Sequence, residues 1–146
     1  MKNFFVGLTA ALVGMQLGAC VQEKEPVQMA EREYVIVVHG GAGAMAGLEN
    51  DTVKASQYYA ALDSALTIGD AILAGGGGGN KAVMAVIRYF ENNPLFNAGV
   101  GATCTIDGAF ELDAAIMEGK DLSAGSVAGV KYIKHPIDAA YAVKTK

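Results

Sequence analysis

The chain has no tryptophan, two cysteines, two histidines and fewer basic than acidic residues, 11 against 15, in 146 positions. Each shortage excludes something. Nucleic-acid binding needs clustered Lys and Arg against the phosphates and aromatic platforms for bases, and a net charge of -4 with a pI near 5.1 argues against both. No nucleic-acid partner is expected. Cys20 and Cys104 cannot frame a disulfide scaffold, and without a histidine at ligand spacing they make no zinc site. The N-terminal apolar stretch is short for a spanning helix and is broken by Gly7, Gly14 and Gln16. Complete nucleotide motifs are missing too. The run from Gly75 to Gly79 is followed by Asn80, Lys81 and Ala82, whereas a phosphate loop needs Lys directly after its last Gly and then Ser or Thr. A helix-to-helix linker is the preferred reading. Gly41-Ala42-Gly43 begins a dinucleotide spacing, but Ala46 stands where the third glycine is required, so neither nicotinamide nor flavin is expected.

What is present is a hydrophobic content of 52% and nineteen glycines in 15.0 kDa, enough for one domain or part of one. Met1-Lys2-Asn3 followed by the apolar residues 4–17 reads as a targeting segment. Its end, Leu17-Gly18-Ala19-Cys20, resembles the bacterial lipobox, which implies cleavage before Cys20 and lipidation of its sulfur. An ordinary cleaved signal peptide or a buried N-terminal helix are the alternatives. Lipidation would leave Cys104 unpaired, make residues 21–33 a solvated tether, and place the protein in the cell envelope, lipid-anchored or periplasmic. Membrane contact would then be through the anchor only.

The folded part is expected to begin near Tyr34, where Tyr34-Val35-Ile36-Val37-Val38 forms a β-branched strand running into His39-Gly40-Gly41-Ala42-Gly43-Ala44. Glycines there permit positive φ and let backbone amides approach a reacting group. Asn50-Asp51-Thr52 offers caps for a helix over residues 52–73, and Gly75 to Gly79 stops it. Asn80 is placed to cap a second helix that should end before Pro94. Residues 103–107 are expected to be extended before a turn at Asp107-Gly108, residues 110–117 and 124–132 read as strands, and Pro136 fits the first turn of a last helix. Strands and helices alternate, so the fold class is α/β (α+β).

His39 reads as a structural residue at a strand end, because no carboxylate or nucleophile stands at motif spacing from it. Asp107, Glu111, Asp113, Glu118 and Asp121 are scattered through strand and turn patterns and are read as solvated. His39-Gly40-Gly41-Ala42-Gly43-Ala44, then residues 93–101 (Asn-Pro-Leu-Phe-Asn-Ala-Gly-Val-Gly), then residues 111–128 from Glu111-Leu112-Asp113-Ala114-Ala115, taken together, resemble the plant-type asparaginase or isoaspartyl peptidase family. The resemblance covers residues 34–146. Glu118 stands where many members have Asp, and Asn80 replaces a common capping serine.

The resemblance implies an N-terminal-nucleophile hydrolase, an αββα four-layer sandwich made as a precursor that cuts itself to free a threonine. That threonine attacks a side-chain amide with its own α-amine as base. The implied substrates are L-asparagine and β-aspartyl dipeptides. The threonine opens the second half of family precursors, and here Thr67-Ile68-Gly69 lies in a helical pattern and Thr145 is next to last. The chain is therefore expected to be an incomplete α portion that needs the β portion as partner, is inactive alone, and assembles as a dimer of such αβ units. By the same resemblance Asn97 supports the nucleophile's geometry and the catalytic water, and Gly40 and Gly41 form the loop that adopts the backbone state for self-cleavage. The carbonyls of Phe90, Glu91, Asn93, Phe96, Ala98 and Val100 match a loop that binds a structural sodium ion. Two rivals remain. One is a noncatalytic envelope binding module. The other is an α/β-hydrolase-type esterase using His39-Gly40-Gly41 as its oxyanion loop, although neither Ser123 nor Ser126 sits in a Gly-x-Ser-x-Gly elbow.

Overall fold

A computed structural model describes residues 34–41 and 48–146. Cys20, the lipobox, the tether and Ala42-Gly43-Ala44 lie outside the described residues. Helix α1 spans Thr52–Ala74, α2 Gly79–Glu91 and α3 Pro136–Lys144, and the antiparallel strands β1 and β2 span Leu112–Met117 and Ala124–Val130. The described architecture is helices with a small antiparallel sheet, of α/β type.

Asp51 caps α1 by accepting the Lys54 N–H on its side chain at 2.9 Å, and Gly75 ends the helix with its N–H on the Ala71 carbonyl. The buried residues of α1 are Ala61, Ala65 and Gly69, spaced at intervals of four, and those of α2 include Ala82, Val86 and Phe90 at the same interval. Interval-four stripes lie on one helix face, so small residues on α1 admit the larger ones of α2. Gly69 has a specific reason to lack a side chain, because a Cβ there would meet Ile36 Cδ1 at 2.1 Å. Thr67-Ile68-Gly69 is thus a packing notch in mid-helix.

Residues 34–38 alternate inward and outward as a strand does, Ile36 and Val38 packing on the core while Val35 and Val37 are exposed. The expected strand is not realised as a ladder, because no described strand pairs with it. Asn80 is not the cap of α2; Gly78 occupies that position without a side-chain bond, and Asn80 lies inside the first turn. Its amide instead reaches Glu118 across the fold, which the local sequence does not signal.

The two strands begin and end close to expectation, with β1 starting at Leu112 rather than at Phe110 and β2 ending at Val130. The turn between residues 105 and 109 places Gly108 at φ +74°. Between the pairs Leu112–Val130 and Ala114–Val127 the register slips, so that Ala128 and Gly129 oppose Asp113. The bulge is pinned by Asp113, whose Oδ1 accepts the Gly129 N–H at 2.7 Å, with Gly129 at φ +63°. Helix α3 covers the opposite face of the hairpin, and Ile116, Ile137 and Ala140 form the core there. A Cβ on Gly125 would lie 2.2 Å from the Ala140 carbonyl oxygen, so that glycine sets how closely sheet and helix approach.

Candidate functional site

Phe96 joins the two glycine-containing loops. It is 4% exposed, its ring centroid lies 4.4 Å from that of Phe90, and Tyr58 meets it edge-on at 5.9 Å. The Tyr58 hydroxyl donates to the Leu95 carbonyl at 2.8 Å, fixing the preceding residue as well. Gly40 lies against the same ring, where an added Cβ would meet Phe96 Cε1 at 3.1 Å. The aromatic ring that anchors the residue before Asn97 therefore also supports the turn that follows His39.

These loops line one cleft of about 720 Å³, whose walls include His39, Gly40, Gly41, Tyr58, Asn97 and Thr103. Gly41 adopts φ +97° and donates its N–H to His39 Nδ1 at 3.1 Å. The imidazole thus holds the turn of its own loop, in keeping with the structural role expected of it. Asn97 Oδ1 accepts two bonds from Thr103, the N–H at 2.9 Å and the hydroxyl at 2.7 Å. The structure brings Gly40, Gly41 and Asn97 together from positions more than fifty residues apart.

The six carbonyls from Phe90 to Val100 belong to the segment that runs from the last residues of α2 to a short 3-10 helix at Gly99–Gly101. Those of Phe90, Asn93, Phe96 and Ala98 accept backbone N–H bonds at 2.8 to 3.2 Å, and each retains a second lone pair. Gly99, at φ +51°, passes so close to Glu91 that a Cβ would lie 2.1 Å from its carbonyl oxygen; on Gly101 it would lie 2.2 Å from that of Phe96. The two glycines let the backbone pass close to the Glu91 and Phe96 carbonyls, where a side chain would collide with them.

The sequence reading missed the side chain of Glu91, which is 3% exposed. Its Oε2 lies 2.8 Å from His135 Nδ1 and its Oε1 accepts the Ile137 N–H at 3.1 Å. A carboxylate from the end of α2 thus caps α3, whose own preceding residue, His135, supplies no side-chain cap. The available signal was Pro136 at a helix start with no Ser, Thr, Asp or Asn before it, which requires an acceptor from elsewhere. Glu118 is likewise not merely solvated. Lys144 Nζ donates to it at 2.9 Å and Asn80 Nδ2 at 2.8 Å, and these bonds, that of Lys144 first, hold its carboxyl below the ordinary 4.5. Cys104 is exposed and has no disulfide partner among the described residues, and no described helix is long and apolar enough to cross a membrane.

Comparison with known proteins settles the family. A family model described as Asparaginase matches residues 32–146, which include both loops and the cleft between them. The chain belongs to the asparaginase family. This places it among the N-terminal-nucleophile hydrolases, as the three sequence segments implied. Among its relatives, an isoaspartyl peptidase of Salmonella typhimurium is 43% identical over 73% of this chain, and a plant-type L-asparaginase of Pyrococcus abyssi is 42% identical over 76%. A mouse isoaspartyl peptidase/L-asparaginase is 40% identical over 77%. These alignments cover 34%, 35% and 33% of the respective relatives, so this asparaginase-family chain spans about a third of their length.

Proposed function

We propose that the full-length protein hydrolyses L-asparagine and β-aspartyl dipeptides as a self-cleaving amidohydrolase with an N-terminal threonine. The observation that carries this reading is the shared cleft, where the His39-Gly40-Gly41 turn and Asn97 meet through Phe96. In this reading the nucleophile comes from the β portion of the precursor. Its hydroxyl oxygen attacks the side-chain amide carbon and its proton passes to the free α-amine. The C–N bond then breaks, the amine leaves with that proton, and water cleaves the resulting ester to release aspartate. Asn97 supplies a hydrogen-bonding amide at the cleft wall, and Gly40 and Gly41 give the backbone room and the positive φ of the adjoining turn.

Four further features belong to the proposal. The uncovered Val35 and Val37, 84% and 85% exposed, and the bare face of β1 and β2 carrying Met117 support incorporation into a four-layer αββα sandwich with the β portion. The carbonyls of Phe90, Glu91, Asn93, Phe96, Ala98 and Val100 are hard oxygen donors of the kind a sodium ion takes, and such an ion would stiffen the segment carrying Asn97. Cys20 would carry a lipid that holds the protein at the cell envelope. Pairs of αβ units would form the oligomer.

The full-length gene product, once self-cleavage is confirmed by mass spectrometry, is incubated with L-asparagine and with β-aspartyl-leucine. Free aspartate, with ammonia from asparagine, is the expected product. Cleaved protein that releases neither would refute the reading and favour the binding module. Fatty-acid labelling tests the anchor, since label persisting in Cys20→Ala would exclude it.

A further inference from the structure

We infer that Thr103 is a positioning residue that locks the Asn97 amide in a single orientation, so that its NH2 group is presented as a donor to an acceptor oxygen in the cleft. This rests on the proposed amidohydrolase function. The orientation follows from chemistry. A backbone N–H can only donate, so the Asn97 atom 2.9 Å from the Thr103 nitrogen must be the carbonyl oxygen Oδ1. The Thr103 hydroxyl, 2.7 Å from that oxygen, then donates as well. With both lone-pair directions of Oδ1 engaged, the two N–H groups of Nδ2 face away from Thr103, and among the described residues no hydrogen bond occupies them. The Thr103 hydroxyl makes no other hydrogen bond among the described residues, and it caps no helix.

The consequence concerns substrate class. An NH2 fixed as a donor favours a carbonyl, a carboxylate or a water oxygen, and the β-aspartyl carbonyl and the attacking water are both of that kind. An amide free to flip would present its oxygen for part of the time, and the competent fraction of the enzyme would fall accordingly.

Thr103→Val keeps the shape and the backbone N–H bond while deleting the hydroxyl. In the full-length gene product, kcat for β-aspartyl-leucine is expected to fall about 3- to 10-fold with KM within about twofold, since one of two hydrogen bonds to the oxygen is lost. Thr103→Ser, which restores the hydroxyl, should recover kcat. Wild-type kcat in Thr103→Val, or equal impairment in Thr103→Ser, overturns the inference. A second measurement is independent of turnover. In 15N relaxation, the Asn97 side-chain NH2 should be rigid in the wild type and looser in Thr103→Val. Equal order parameters overturn the inference, whereas a loosened amide in a protein without turnover supports it and removes the proposed function instead.

Discussion

Removing the Glu91 carboxylate tests how the Asn97 loop is held to the rest of the fold. Glu91 ends α2, and the Gly99 backbone packs against its carbonyl, so its side-chain bonds tie that turn to the start of α3. Glu91→Ala deletes two hydrogen bonds to a charged acceptor, each contributing about 1.5–3 kcal/mol. It leaves the N–H of Ile137, a residue only 1% exposed, without a partner inside the core. The variant no longer bears the cost of desolvating a carboxylate, which offsets part of this, and the net loss expected is about 2–4 kcal/mol. Glu91→Gln keeps an oxygen for the Ile137 N–H and should lose only about 1–2 kcal/mol. Urea unfolding of the full-length gene product, followed by circular dichroism, gives both values. Glu91→Ala within about 1 kcal/mol of wild type, or Glu91→Gln as damaging as Glu91→Ala, would refute the capping role.

Gly101→Ala should destabilise by more than about 2 kcal/mol and lower aspartate release, because its Cβ would lie 2.2 Å from a backbone oxygen that cannot swing aside; an unchanged melting temperature would contradict this. Gly69→Ala gains about 0.5–1 kcal/mol of helix propensity, yet should be destabilising, by less than Gly101→Ala, because its Cβ would meet a side-chain end that must turn aside, Ile36 Cδ1 at 2.1 Å. Adding Ile36→Val deletes that carbon and should restore the unfolding midpoint, which a purely additive double variant would disprove. Glu118 titrates below its ordinary 4.5 because of Lys144 and Asn80, so its contribution to stability is complete above 4.5 and is lost as pH falls through the depressed value. Lys144 is raised above 10.5, chiefly by the bond to Glu118, so its contribution is complete below 10.5 and is lost as pH climbs through the raised value. In Lys144→Met the Glu118 carboxyl, followed by 13C NMR, should titrate closer to 4.5, and no movement would dissociate the pair.

The legible parts of the fold were those written in local chemistry. Asp51 before an apolar stretch, glycines after Leu73 and Pro136 at a helix start marked the ends of α1 and the beginning of α3, because caps and breakers act within one turn. The cleft was legible only as two separate glycine loops; what joins them is Phe96, which in sequence looks like any core aromatic. Asn80 was misassigned because its partner, Glu118, is 38 residues away, and local capping preference cannot weigh such a bond. Glu91 was invisible for the same reason, its partners being 44 and 46 residues distant. The strand at residues 34–38 was recognised by its run of β-branched residues, but such a run specifies an extended segment and not a hydrogen-bonded neighbour. Asp113 looked like an ordinary solvent-facing charge, and only the register slip at Gly129 shows what it holds.

The central claim is that the cleft between the His39 turn and Asn97 serves amide hydrolysis. Its most direct test is kcat/KM for β-aspartyl-leucine in the self-cleaved full-length gene product, compared with Asn97→Ala. The account predicts aspartate release that falls about 10²-fold or more in the variant, the scale of losing a donor aimed at developing charge. Equal kcat/KM in the two proteins would contradict it.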